Sequence, residues 1–278
     1  MNEKIFLAIV IVTVLAEDKG YHTLVGIPVA KRIYNVETTA SPNAQEVKIN
    51  PNIAVHNYLV GIVITVGDSF SVCGSSLLSN TRALTAAHCW WDGWRQADQF
   101  TLVFGSEYIF VGGTRIDTKI VVLHEDWNPM TVMNDLAMVI FDPVEFSQYV
   151  QPINLPARIR DLSIIGSWVQ ASGYGDDIDS KGFAPKQRQT DVTVQVVPTT
   201  YCFNSTYSFM QRTLCTRSWE DVCISHSGGP LTIKYDKKRY LIGVASFGNY
   251  SCSENKATMA AYVRVIFNIR WITSKLGI

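Results

Sequence analysis

Three short stretches of this chain carry residue types that could do chemistry together. The first is Cys223-Ile224-Ser225-His226-Ser227-Gly228-Gly229-Pro230. A serine followed by Gly-Gly-Pro sits on a turn that small residues permit, so its hydroxyl can be held outward with backbone N–H groups beside it. The second is Leu84-Thr85-Ala86-Ala87-His88-Cys89, and the third is Asn134-Asp135-Leu136-Ala137-Met138-Val139. A serine hydroxyl is a weak nucleophile until a base takes its proton. Imidazole suits that task because it titrates near neutrality. A buried carboxylate then fixes the imidazole tautomer and stabilises the imidazolium. His88, Asp135 and Ser227 meet these three needs, and the chemistry they would perform is acyl transfer.

The elements around them read as β. Tyr58 to Val66 is rich in Val and Ile, and Val72 to Leu78 follows after Gly67-Asp68. Phe100 to Phe104, Tyr108 to Val111, Ile116 to Leu123 and Asn134 to Phe141 are further short apolar runs, punctuated by Gly and Asp. Gln151-Pro152-Ile153-Asn154-Leu155-Pro156 reads as an extended link. Beyond it the same texture returns at Ser167 to Ser172, Thr190 to Val197, Leu231 to Tyr235, Tyr240 to Phe247 and Tyr262 to Val265. Short strands with regular turns predict an all-β sandwich or barrel. Ile266 to Leu276 has helical spacing and closes the chain as a short amphipathic helix.

The totals bound the partners. With 278 residues, 24 basic and 24 acidic, the chain has no net charge and no basic stripe, so nothing points to nucleic acid. The apolar run Ile5–Leu15 is too short to span a bilayer. Preceded by Lys4 and ending with Val14 and Ala16 as the small residues a signal peptidase accepts, it reads as a secretory signal over residues 1–16, with no membrane anchor expected. Six cysteines in a secreted chain point to disulfides, and spacing alone does not choose their pairing. No Cys/His cluster has zinc spacing, and neither a metal nor a cofactor is expected. Residues 17–48 form a polar, mixed segment that reads as propeptide-like, with a helix expected from Val29 to Val36. His22, His56 and His124 lack motif context and read as surface or structural. Two glycosylation sequons begin at Asn204 and Asn249.

With histidine, aspartate and serine in that order, 47 and 92 residues apart, the chain resembles the chymotrypsin-like (trypsin-like) serine proteases. The resemblance runs from about Tyr58 to the C-terminus and implies two antiparallel six-stranded barrels with the site between them. It makes Ser227 the nucleophile, His88 the general base and Asp135 its orienting partner, and it places the oxyanion hole at the backbone N–H groups of Ser225 and Ser227. It pairs Cys73 with Cys89, Cys202 with Cys215 and Cys223 with Cys252. It puts Asp221 at the base of the primary pocket, Ser246-Phe247-Gly248 along the substrate backbone, and Ala260 where a glycine usually lines the pocket. The expected partners are peptide or protein substrates and protein inhibitors, and the expected state is a monomer with its protease domain over residues 49–278.

The chain also departs from the family pattern Gly-Asp-Ser-Gly-Gly-Pro, reading Ser225-His226-Ser227-Gly228-Gly229-Pro230. In the family that aspartate pairs with the new α-amino group after activation. Histidine supplies no negative charge, and the usual Ile-Val-Gly-Gly start is missing; Arg32-Ile33 and Lys48-Ile49 are the nearest candidates. Two readings follow: a secreted serine endopeptidase, made with a signal and propeptide, and a catalytically impaired homologue acting as a binding or regulatory protein.

Overall fold

The computed structural model describes residues 20–40, 56–174, 189–202, 211–218, 227–248 and 259–277. Two β units face each other. The first holds β1 (Leu59–Val66), β2 (Ser69–Ser79), β3 (Arg82–Thr85), β4 (Gln99–Phe104), β5 (Thr114–Thr118), β6 (Ile120–Leu123) and β7 (Ala137–Ile140). The second holds β8 (Trp168–Tyr174), β9 (Gln189–Val197), β10 (Thr213–Arg217), β11 (Pro230–Tyr235), β12 (Lys238–Gly248) and β13 (Met259–Arg264). Among the described residues, the pairings between these strands are antiparallel.

The second unit is a closed six-stranded barrel, in the order β10-β13-β12-β11-β8-β9. The first is a seven-stranded sheet, in the order β5-β4-β1-β2-β3-β7-β6, where a six-stranded barrel was expected. The difference is one corner. The two edge strands β5 and β6 are consecutive in the chain and separated only by Lys119. The Thr118 hydroxyl donates to the Ile140 carbonyl at 2.6 Å and accepts from the Ile120 N–H at 3.0 Å. A side chain thus joins the edges where a continuous ladder would, and the predicted single strand Ile116 to Leu123 bends there.

Other sequence expectations need adjustment. β3 and β10 are strands that the apolar pattern did not single out. Tyr108 to Val111 is not a strand. Its N–H groups at Ile109 and Phe110 are taken instead by the Glu37 carboxylate, at 3.0 and 2.7 Å, which leaves them no ladder to join.

Each unit has an apolar interior. Ile62, Ile64, Leu84, Phe100, Leu102 and Met138 fill the first, and Val194, Leu231 and Tyr262 the second. The link between them is held from both sides: Ile153 N–H donates to Leu77 O, and Leu241 N–H donates to Asn154 O, each at 2.9 Å. The C-terminal helix (Ile269–Lys275) returns to the first unit. Its Ile272 is fully buried in that interior, and the Arg82 Nε donates to the Lys275 carbonyl at 3.2 Å.

A third apolar cluster was not expected. A π-helical turn, His22–Gly26, runs into α1 (Ile27–Ala40). Val29, Ala30 and Ile33 of α1 pack on Leu59, Val63, Val72, Val103 and Ile109 of the first unit and on Tyr174 of the second. Residues 20–40 are therefore part of the folded body. Among the described residues, no helix is long and apolar enough to cross a membrane.

Candidate active site

His88 lies on a short 3₁₀ turn, Ala87–Cys89, directly after β3. The Cys73–Cys89 disulfide ties that turn to β2. Asp135 precedes β7, and its carboxylate is fully buried. The chain reaches it through two left-handed residues, Val132 and Asn134 (φ 57° and 55°), and the Leu136 N–H closes the turn on Asn134 O at 2.7 Å. Such residues are held by their surroundings, and they cluster where geometry matters. Arg212 supplies one such hold, donating to the Asn134 side chain at 2.9 Å.

The two groups meet closely. Asp135 Oδ1 accepts from the His88 backbone N–H at 2.9 Å, and Oδ2 accepts from His88 Nδ1 at 2.7 Å. Ser246, on β12 of the second barrel, donates its hydroxyl to the same Oδ2 at 2.5 Å. Charge-assisted bonds of this kind are short and strong, and three of them satisfy a carboxylate that burial would otherwise penalise. The arrangement assigns the Nδ1–H tautomer to His88 and leaves Nε2 buried, without a bond to the Ser227 hydroxyl. Among the described residues, that nitrogen has no hydrogen-bond partner.

Ser227 is also buried, at 5% exposure, on a turn that both units grip. Its carbonyl accepts from Gly74 N–H of β2 at 2.8 Å. Gly228 N–H donates to Ala245 O at 2.8 Å, and Ala245 N–H donates to Gly229 O at 2.9 Å. Gly228 has φ +76°, and a Cβ there would overlap the Thr85 hydroxyl and the Gly74 carbonyl. Only glycine satisfies both constraints. The Thr85 hydroxyl itself donates to Gly74 O at 2.7 Å. The strand that leads to His88 and the turn that carries Ser227 thus converge on one residue, Gly74.

The substrate-binding expectations divide. Gly248 and Ala260 are register partners across β12 and β13, and Ser246 lies two residues upstream of Gly248. The Ala260 methyl packs against the core of the second barrel. Asp221, Ser225, His226 and the sequons at Asn204 and Asn249 lie outside the described residues, as does the expected Cys223–Cys252 pair. The expected Cys202–Cys215 disulfide is formed. The sulfurs of Cys73 and Cys89 lie beside the His88 ring, but they are bonded to each other and offer no thiolate to a metal.

Two histidines read as surface or structural prove to be interior. His22 is fully buried, and His56 is 6% exposed and bonded to Tyr58 and Ser172. His124 is partly buried and stacks on Trp271 at 5.0 Å. Sequence reasoning also passed over Tyr21, Asp92 and Glu37, all in the vicinity of α1. One signal was available: His22, Gly26, Val29, Ala30, Ile33 and Glu37 form a buried stripe with helical spacing. Small residues and a buried acid mask it as polar.

Residues 50–272 match the family model described as Trypsin. The chain belongs to the trypsin family of serine proteases. It is 30% identical over 233 residues to Serine protease 1 of Drosophila melanogaster, covering 80% of this chain and 81% of that one. It is 29% identical over 234 residues to a collagenase of Hypoderma lineatum, covering 80% and 83%. A solved collagenase structure superposes with a TM-score of 0.68 at 26% identity, covering 81% of this chain and 96% of the other. The all-β chymotrypsin fold and the serine protease relationship follow for this trypsin-family chain.

Proposed function

We propose that this chain is a secreted serine endopeptidase that works through an acyl-enzyme. The observation that carries the reading is the buried Asp135–His88 pair, bonded twice, beside a Ser227 turn clamped by both units. In the reaction, Ser227 Oγ attacks the scissile carbonyl carbon while His88 Nε2 takes the hydroxyl proton. Asp135 remains ionised and stabilises the imidazolium. The oxyanion is met by backbone N–H groups at Ser227 and Ser225. The C–N bond then breaks, and His88 returns the proton to the departing amine. Water, deprotonated by the same histidine, attacks the acyl-enzyme and restores Ser227.

The apolar run Ile5–Leu15, read as a leader over residues 1–16, and the two disulfides support this reading of secretion. Peptide and protein substrates follow from the family. By the family resemblance, Asp221 at the base of the primary pocket would favour Arg or Lys.

The second reading, an impaired homologue that binds or regulates, is favoured by one specific feature: His226 and Ser225 replace the family's aspartate and glycine beside the nucleophile. A fluorophosphonate probe separates the two. The purified secreted protein is labelled before and after limited proteolysis, with Ser227→Ala as the control and circular dichroism to show folding. Stoichiometric labelling that disappears in Ser227→Ala supports the endopeptidase. A folded protein that stays unlabelled in both conditions rejects it.

A further inference from the structure

Tyr21 and His22 lie against the residues around His88. Tyr21 packs its ring edge-on against the His88 imidazole, with 4.5 Å between centroids and a 60° angle between planes. Its hydroxyl donates to the Val72 carbonyl at 2.6 Å, with Cys73 Sγ at 3.7 Å. On either side the segment is fixed. His22 N–H donates to Asp92 Oδ2 at 2.9 Å, and His22 Nδ1 meets the Ser71 hydroxyl at 3.0 Å. Asp92 is itself held, since its Oδ1 accepts from the N–H groups of Trp94 and Arg95. Gly20 lies so close to the Asp92 carboxylate that a Cβ would overlap it.

The location has a direction in the reaction. A substrate's acyl portion runs along Ser246 to Gly248, on the β12 side, where Ser246 reaches Asp135. The departing amine must collect its proton from His88 Nε2, so the chain that follows the scissile bond leaves past the imidazole on the other side. That side is bordered by Val72, Cys73 and the turn that carries His88. Tyr21 and its neighbours contact these residues.

We propose that Gly20–Gly26 is a built-in occupant of the leaving-group side of the cleft. In it, Tyr21 is the stop that decides how much chain can follow the scissile bond. The inference rests on the endopeptidase reading above. Substrates with a small leaving group react while the segment stays in place. Extended polypeptides react only when Tyr21 has left the His88 ring. The selectivity resides in the ring, because the hydroxyl bond only holds it there.

The test compares two probes on the full secreted chain. A fluorophosphonate expels only fluoride and needs no leaving-side room, whereas fluorescein-labelled casein needs chain on both sides of the bond. Tyr21→Ala removes the ring, and Gly20→Val displaces the segment by collision with Asp92 while keeping Tyr21 in the sequence. Both variants should hydrolyse casein about tenfold faster or more, in keeping with one aromatic contact and one hydrogen bond no longer holding the segment. Fluorophosphonate labelling should change by less than about threefold, and Tyr21→Phe, which keeps the ring and loses the bond to Val72, should fall between the parent protein and Tyr21→Ala in casein hydrolysis.

Unchanged casein hydrolysis in both variants overturns the proposal. So does a parallel change in both probes, which would mean that Tyr21 acts by positioning His88. If the parent protein is folded yet unlabelled, the endopeptidase reading fails on its own. The stop is then read by anisotropy of labelled casein peptides on Ser227→Ala. Tighter binding upon adding Tyr21→Ala supports the occupied cleft, and equal binding overturns it.

Discussion

Glu37 is the interaction whose pH dependence can be worked out furthest. It lies on α1 with 2% exposure and accepts from Ile109 N–H and Phe110 N–H. Burial pushes its carboxyl from 4.5 up to about 7, against the opposing pull of those N–H groups and of Arg115. Arg115, which also donates to the Ile109 carbonyl at 2.8 Å, is the charged neighbour that acts on it, and Glu37 in turn raises the Tyr174 phenol. Between pH 4.5 and 7 the folded protein holds a proton that the unfolded chain has released. Stability from this group is therefore complete below pH 4.5 and is lost as the pH rises towards 7 and above. The accumulated loss is roughly 3 kcal/mol, from about 1.4 kcal/mol per pH interval of one.

Glu37→Gln removes the titration and keeps one acceptor. It should cost about 1 kcal/mol at low pH, where the amide faces one N–H with a donor. It should then gain on the parent protein steadily as the pH rises. Calorimetric unfolding between pH 4.5 and 8 reads the difference. For a protein of this size, roughly 3 kcal/mol corresponds to a relative Tm change of about 6–12 °C. Amide exchange in α1 should follow the same curve. Melting temperatures of parent and variant that run parallel across the range would refute the reasoning, because Glu37 would then bind the same number of protons folded and unfolded.

Three further outcomes are expected. Asp135→Asn keeps the shape of the site but reverses the His88 tautomer, so turnover of a peptide ester should fall about 10⁴-fold with little change in KM. Gly228→Ala forces a Cβ into the Thr85 hydroxyl and the Gly74 carbonyl. It should abolish fluorophosphonate labelling and destabilise the protein by about 3 kcal/mol or more in urea unfolding. Ile33→Ala should cost about 2–5 kcal/mol in the same assay, because its side chain is 1% exposed within the α1 cluster. A loss below about 0.5 kcal/mol would mean that α1 unfolds separately from the two β units.

The meeting of His88 with Asp135 was legible because these residues sit in motifs whose chemistry constrains their neighbours. Ser227 needs small residues after it, and His88 and Asp135 need buried, apolar flanks. Most strands were legible for a similar reason, since β1, β4, β11 and β12 are rich in apolar and β-branched residues. The corner at Lys119 was not, because a strand that bends keeps its apolar pattern through the bend. Tyr108 to Val111 failed as a strand because its backbone donors are claimed by Glu37, from a segment about 70 residues upstream; nothing local records that. Ser246 was placed as a residue along the substrate backbone. Its hydroxyl on Asp135 came only with the coordinates, since a hydroxyl's partner depends on the packing of two units. The α1 stripe was hidden by its composition, as Gly26, Ala30 and Glu37 do not register as a hydrophobic face.

The α1 cluster has a consequence for what a cut would do. Val29, Ala30 and Ile33 hold residues 20–40 to the body by apolar contact, and no disulfide among the described residues links that segment to it. Hydrolysis of the chain anywhere between residues 41 and 55 would produce two polypeptides that remain together. Before the cut, the segment rebinds at the effective concentration set by its tether. After it, rebinding depends on the amount of protein in solution. Departure would then be governed by dilution, so that a nicked protein stored concentrated and one released into a large volume would differ in composition while sharing one covalent state.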